Sequence, residues 1–292
     1  MIEGGFGLPF SCAGWYERDM SAPDPKILGI LNVTPDSFSD GGKYFEPGAA
    51  IAHGRELLSA GADLLDIGPA SSNPDAKPVG AEEEIRRIAP VLDALIEAGA
   101  EISVDSFEPK TQIYALERGV AWLNDIQGFP DESLYPRLAD ASCGLIVMHS
   151  VQGRGNADRR AAPEGDMIEH ICRFFEARLE AFSKAGIATE RVVLDPGMGF
   201  FLGSVPETSF SVLARVGEIK ARFGLPVLIS VSRKSFLRKV TGRAPGEASA
   251  ATLAAEVLAA LNGADMIRTH EPGPLVDALK VLKAHDAGKT PH

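Results

Sequence analysis

The chain has 292 residues, 45% hydrophobic and 24% charged, and its 40 acidic and 29 basic side chains give a net charge of −11. That balance suits a globular protein with a sizeable core and argues against a nucleic-acid or anionic-membrane partner, so an anionic ligand would need a few local cations. Cys12, Cys143 and Cys172 are too few and too scattered for a disulfide framework or zinc motif. No apolar run reaches membrane-spanning length and residues 1–26 lack a signal-peptide pattern, so the expected location is the cytoplasm.

After an irregular arm over residues 1–26, a single domain over 27–285 is expected. Eight short apolar runs that end in polar residues each lead into a stretch of helical periodicity. Run 27–33 precedes a helix over 49–60, 64–68 one over 82–98, 102–106 one over 109–118, and 122–126 a short one over 132–141. Run 145–149 leads through a long mobile loop (151–162, carrying Arg154, Arg159 and Arg160) to a helix over 163–185. Run 192–196 precedes a helix over 207–223, 227–232 one over 250–262, and 266–270 one over 274–284. Glycines such as Gly61, Gly119 and Gly263 follow the helices as stop signals. Strict β-α alternation demands a parallel sheet with right-handed crossovers, and eight units predict an α/β fold of the (β/α)8 TIM-barrel type. An open doubly wound sheet is the alternative, disfavoured because no G-x-G-x-x-G follows the first strand.

In a barrel the strand C-termini and the loops after them form the active face. Here they carry Asn32, Asp66, Asp105, Asn124 with Asp125, Met148 with His149, Asp195, Ser232 with Arg233 and Lys234, and Arg268 with His270. Any one could be a cap or structural ion pair, but eight polar ends together predict a ligand site. Acidic and amide acceptors on separate strands suit a heterocycle with amine and amide edges, and the cations after strands seven and eight suit an anionic tail. Asp125 is expected to be a structural partner, and His53 and His170 to be surface residues. His149 is open between lining the mouth and a structural hydrogen bond, and Phe174, Phe175, Phe210 and Phe223 read as core.

These residues fall into longer motifs. GILNVTPDSFSDGG over 29–42, DPGMGF over 195–200, SRKS over 232–235 and RTH over 268–270 resemble, in order and spacing, the signatures of dihydropteroate synthases. The resemblance spans about 26–282. It implies a transferase that joins 6-hydroxymethyl-7,8-dihydropterin diphosphate to p-aminobenzoate in folate synthesis, with Mg2+ as cofactor and a homodimeric assembly. By position it assigns the pterin to Asp66, Asp105, Asn124, Met148, Asp195, Lys234 and Arg268, the diphosphate to Asn32, Arg268 and His270, and Mg2+ to Asn32. Asp105, Lys234 and Asn32 would carry the chemistry. Phe38, Ser72, Asn73, Pro74, Phe200, Phe201, Ser232 and Arg233 would surround p-aminobenzoate.

Two departures stand out. The second loop reads GPASSNP over 68–74, so Asn73 stands where the family pattern has an arginine that reaches the anionic groups; Arg154, Arg159 or Arg160 could compensate, although a solvated basic loop is the simpler reading. After Gly199 the chain continues Phe200, Phe201, Leu202, Gly203, about two residues longer than usual. This combination resembles the sulfonamide-resistant branch and implies reduced sulfonamide affinity, through an aromatic side chain that rejects the bulkier sulfonyl group. A pterin-dependent methyltransferase domain and a non-catalytic pterin-binding homologue are the competing readings; the SRKS and TPDSF segments disfavour the first, and the intact polar set disfavours the second.

Overall fold

A computed structural model describes residues 24–34, 47–71, 79–153 and 155–287. Strands and helices follow in the order β1 (Lys26–Asn32), α1 (Pro47–Ser59), β2 (Leu64–Gly68), α2 (Ala81–Glu97), β3 (Ile102–Asp105), α3 (Pro109–Glu117), β4 (Trp122–Asp125), α4 (Tyr135–Asp140), β5 (Gly144–Met148) and α5 (Met167–Lys184). They continue with β6 (Val192–Asp195), α6 (Pro206–Ala214), α7 (Val216–Phe223), β7 (Leu228–Ile229), α8 (Ser235–Thr241), α9 (Ser249–Leu261), β8 (Met266–Thr269) and α10 (Pro272–Ala287). The strands pair in parallel in the order β6-β5-β4-β3-β2-β1-β8-β7. A parallel bridge between Leu194 and Val227 closes β6 onto the start of β7. The predicted eight-unit barrel is the fold, and the open sheet is not.

Side-chain alternation makes the barrel both a core and a vessel. Leu28, Leu64, Ile146, Val193, Leu228 and Met266 form one buried cluster inside the ring, with Trp122 packed against it. Two residues further along those strands stand Ile30, Asp66, Asn124, Met148, Asp195, Ser230 and Arg268, which therefore face the same interior one layer higher. The intervening residues, among them Leu65, Ile67, Val104, Leu123, Val147 and Leu194, face outward and pack under the helices. An apolar floor thus passes, within one strand period, into a polar mouth.

Five features differ from expectation. Strand seven, expected over 227–232, stops at Ile229 because the Lys234 N–H returns to the Val231 carbonyl (3.1 Å) in a turn that holds Arg233 at φ 57°. The helix expected over 207–223 breaks at Arg215 (φ −113°), whose guanidinium holds Asp166 and Glu218. The short helix α8 adds a turn that sequence periodicity did not suggest, and the fourth helix begins as a 3-10 turn over Glu132–Leu134. The loop expected to be mobile is tied down: Val151 N–H donates to the Phe201 carbonyl (3.0 Å), Gln152 Nε2 to the Phe200 carbonyl (2.8 Å), and Ser204 N–H to the Arg160 carbonyl (3.0 Å).

Candidate active site

The polar layer converges on a pit. Arg268, from β8, donates from Nε to Asp66 on β2 and from Nη2 to Asp105 Oδ2 at the end of β3 (2.6 Å). Asn124 Nδ2, from β4, donates to Asp66 Oδ2 (3.2 Å). Its Oδ1 is buried with no hydrogen-bond partner, an acceptor open to a ligand N–H. Across the pit, Asp195 Oδ1 accepts the Gly197 N–H (2.8 Å), which fixes that carboxylate at the entry of the following loop.

Burial sets the charge states. Loss of hydration pushes Asp105 up to about 7 against the pull of Arg268, and Asp195 up to about 6 against the Gly197 N–H and Lys234. Lys234 is drawn down to about 8 by the same loss of water and by repulsion from Arg268. Arg268 is also buried, but Asp66 and Asp105 together hold it firmly protonated. The pit is a poised set of acids and bases rather than a static ion pair.

Above the pit opens a cavity of about 350 Å³, whose wall includes Asn32, Asp105, Lys234, Arg268 and His270. His270 Nδ1 pairs with Ser232 Oγ (2.9 Å); burial and the neighbouring Arg233, Arg268 and Lys234 lower it to about 3. It is therefore a neutral imidazole at neutral pH in this structure. Arg233 turns to Glu271 Oε1 (2.9 Å). Phe200 and Phe201 form the opposite wall, and Lys234 Nζ lies 4.9 Å from the centre of the Phe201 ring. Phe201 is buried with Ile126, Met148 and Ala157, so Met148 backs the aromatic wall rather than lining the cavity.

The sequence profile of the pterin-binding enzymes matches residues 28–270. The type-2 dihydropteroate synthase of Escherichia coli is 64% identical over 258 residues, covering 88% of this chain and 95% of that protein. The dihydropteroate synthase of Escherichia coli K12 is 35% identical over 261 residues, covering 89% and 91%. The chain belongs to the dihydropteroate synthases. A solved dihydropteroate synthase of Xanthomonas albilineans with 4-aminobenzoic acid superposes with a TM-score of 0.83 at 36% identity, covering 93% of this chain and 95% of that one.

Of the residues that the dihydropteroate synthase motifs single out, Asp66, Asp105, Asn124 and Arg268 meet directly. Asn32, Lys234, His270, Ser232, Arg233, Phe200 and Phe201 line the same cavity. Phe38, Ser72, Asn73 and Pro74 lie outside the described residues. Asp125 is a structural partner as expected: it faces away from the pit, accepting from Gln127 N (2.7 Å) and Gln112 Nε2 (2.9 Å). His149 is fully buried and bonds the Pro196 carbonyl, so its role is structural. His170 is not a surface residue but its half-buried partner, Nδ1 to Nε2 at 3.0 Å. Arg160 is exposed and turned to Asp158, and exposed Arg159 lies over the outer side of the mouth, 5.8 Å from the Phe200 ring centre. Sequence reasoning missed Ser230 and Arg238. Ser230 shares the interior parity of Ser232, a spacing available in the chain, whereas Arg238 enters the cavity from α8, which sequence periodicity did not suggest.

Proposed function

We infer that the barrel joins 6-hydroxymethyl-7,8-dihydropterin diphosphate to p-aminobenzoate, releasing diphosphate and forming 7,8-dihydropteroate for folate synthesis. The observation that carries this reading is the set of buried acceptors on separate strands, Asp105, Asn124 Oδ1 and Asp195, beneath the cations Lys234 and Arg268. A pterin presents amine and amide N–H groups along one edge and ring acceptors beside them, which matches carboxylates and an amide with a lysine nearby. Arg268 would leave the carboxylate of Asp105 to the pterin and lie over the ring face.

The C–O bond to the diphosphate breaks as the electron-rich ring delocalises the positive charge left on the exocyclic carbon, and the Asp105 carboxylate stabilises that charge. The aniline nitrogen forms the C–N bond and then loses its proton to solvent. No enzyme nucleophile is required. Diphosphate release that depends on both substrates is the expected result with purified protein; its absence overturns the reading.

Mg2+ fits as a companion of the diphosphate. Among the described residues no trio of His, Cys, Asp or Glu could cage a metal, but the Asn32 amide oxygen stands at the mouth and suits a hard cation that keeps water and phosphate ligands. Bound there, Mg2+ would neutralise the leaving group. The enzyme is further read as a cytoplasmic homodimer. The buried, unpaired Cys143 and Cys172 support a reducing compartment, and light scattering tests the assembly.

Reduced sulfonamide affinity is part of the same reading. Phe201 is buried against Lys234, Met148 and Ala157 and cannot withdraw freely, so it limits the room beyond the aminobenzoate ring. Weak inhibition by sulfamethoxazole, strengthened on deletion of Phe201, is expected; ordinary sensitivity of the intact enzyme refutes it.

A further inference from the structure

The cavity wall carries more positive charge than its own carboxylates consume. Arg268 is held by Asp66 and Asp105, Arg233 by Glu271, and Lys234 lies between the charges of Asp105 and Asp195 and the face of Phe201. Arg238 is different. It lines the same cavity, it has no acidic partner among the described residues, and its Nε is buried without any hydrogen-bond acceptor. A guanidinium N–H removed from water and left unpaired is unfavourable until an acceptor arrives.

Its place in the fold narrows what that acceptor is. Lys234 caps α8, and Ser235 and Arg238 follow on its first turn, so the three lie at helical spacings that share one face. Lys234 reaches Phe201, and Ser235 Oγ stands near Gly199, which puts this face against the Phe200–Phe201 wall. Asn32 and His270 belong to strands β1 and β8, the latter just past its end. An anion met by Arg238 is therefore the one at the aromatic wall.

We propose that Arg238 binds the carboxylate of p-aminobenzoate, supplying from helix α8 the charge that Asn73 cannot supply from the second loop. The proposal rests on the reaction assigned above and adds a specificity-determining residue to it. A planar guanidinium offers paired N–H donors that match the two coplanar carboxylate oxygens, and it matches a tetrahedral sulfonyl group less well. Arg238 thus favours the substrate where Phe201 disfavours the drug.

The test is steady-state kinetics of wild type, Arg238→Gln and Arg238→Lys, with each substrate varied. Arg238→Gln should raise the KM for p-aminobenzoate about 30-fold and leave that for the dihydropterin diphosphate within about twofold, as loss of one charge-assisted pair predicts. Arg238→Lys should fall between, and the preference for p-aminobenzoate over neutral p-aminobenzamide should collapse in Arg238→Gln. An unchanged KM for p-aminobenzoate, or a rise confined to the diphosphate substrate, overturns the proposal. Should the wild type fail to turn over, the assigned reaction falls by itself. Calorimetric titration of p-aminobenzoate into wild type and Arg238→Gln, with the pterin substrate present, then decides on Arg238: equal affinities refute it and a weaker variant supports it. Circular dichroism reports whether Arg238→Gln is folded, and Arg238→Lys carries the comparison if it is not.

Discussion

Gln112 Nε2 donates to Asp125 Oδ2 at 2.9 Å and, with its other proton, to the Ser106 carbonyl at 2.8 Å. One amide on α3 therefore laces the end of β3, which carries Asp105, to the end of β4, which carries Asn124. The lacing continues behind β3, where Ser106 Oγ donates to the buried Glu84 at 2.6 Å. Gln112→Leu takes the donor from a buried carbonyl and one of the donors from a buried carboxylate, which keeps its bonds from the Gln127 and Phe129 N–H groups. A loss of about 1–3 kcal/mol is expected from the orphaned carbonyl and the weakened carboxylate, read by urea unfolding. The KM for the pterin substrate should rise more than that for p-aminobenzoate, and an unaltered ratio of the two would show that the lacing does not align the pit.

The rate should depend on pH with two limbs. In the proposed reaction Asp105, raised to about 7, acts deprotonated to stabilise positive charge, so kcat/KM for the pterin substrate should rise as pH climbs through that region. Lys234, lowered to about 8, would donate to the ring in its protonated form in the same reaction, so activity should fall above that region. The profile is a bell between about pH 7 and 8. Lys234→Arg should extend the alkaline limb upward, and a limb that does not move would remove Lys234 from that role.

Glu256 on α9 is buried, leaves Oε1 without a partner, and is pushed up to about 8 chiefly by loss of hydration. A folded value above the ordinary 4.5 means that folding favours the protonated form. The stability it contributes is complete below about pH 4.5 and is lost as pH rises through about 8. Glu256→Gln should abolish this slope, which approaches about 1.4 kcal/mol per pH unit between those limits. Urea midpoints measured from pH 5 to 9 should converge for the two proteins in acid and separate in base.

Gly197 has φ 73°, and a Cβ there would come within 2.4 Å of the His149 carbonyl oxygen. Gly197→Ala therefore combines backbone strain with a clash against main chain that cannot rotate away. A cost of about 2–3 kcal/mol is expected. Because the Gly197 N–H also orients Asp195, kcat/KM should drop by about 10-fold to 100-fold. Wild-type stability in this variant would mean that the loop relaxes elsewhere.

Much of this site was legible because a parallel strand buried on both faces is apolar, so that any polar residue within it stands out. Asp66, Asp105, Asn124, Asp195 and Arg268 could be read in this way. Strand parity also set Asp125 apart as a structural partner, although Leu65, Val104 and Leu123 are as apolar as the interior residues and do not mark the parity themselves. Helices hide their contributions differently. Gln112 and Arg238 sit in amphipathic stretches where a polar residue is unremarkable, and only the barrel brings them to β4 and to the cavity. The break at Arg215 depends on Asp166, 49 positions away, and no local pattern encodes it.

The hoop of strands is fastened least where β6 meets β7: the described residues join there through the Leu194–Val227 bridge and the bond from Leu194 N–H to the Pro226 carbonyl. Asp195 stands on one side of that clasp and Lys234, after the short β7, on the other. A molecule gripped by both acts as a rivet across the joint. Occupancy of the pit then stiffens the ring at its loosest point, and amide exchange at Leu194 slows first as substrate fills the cavity.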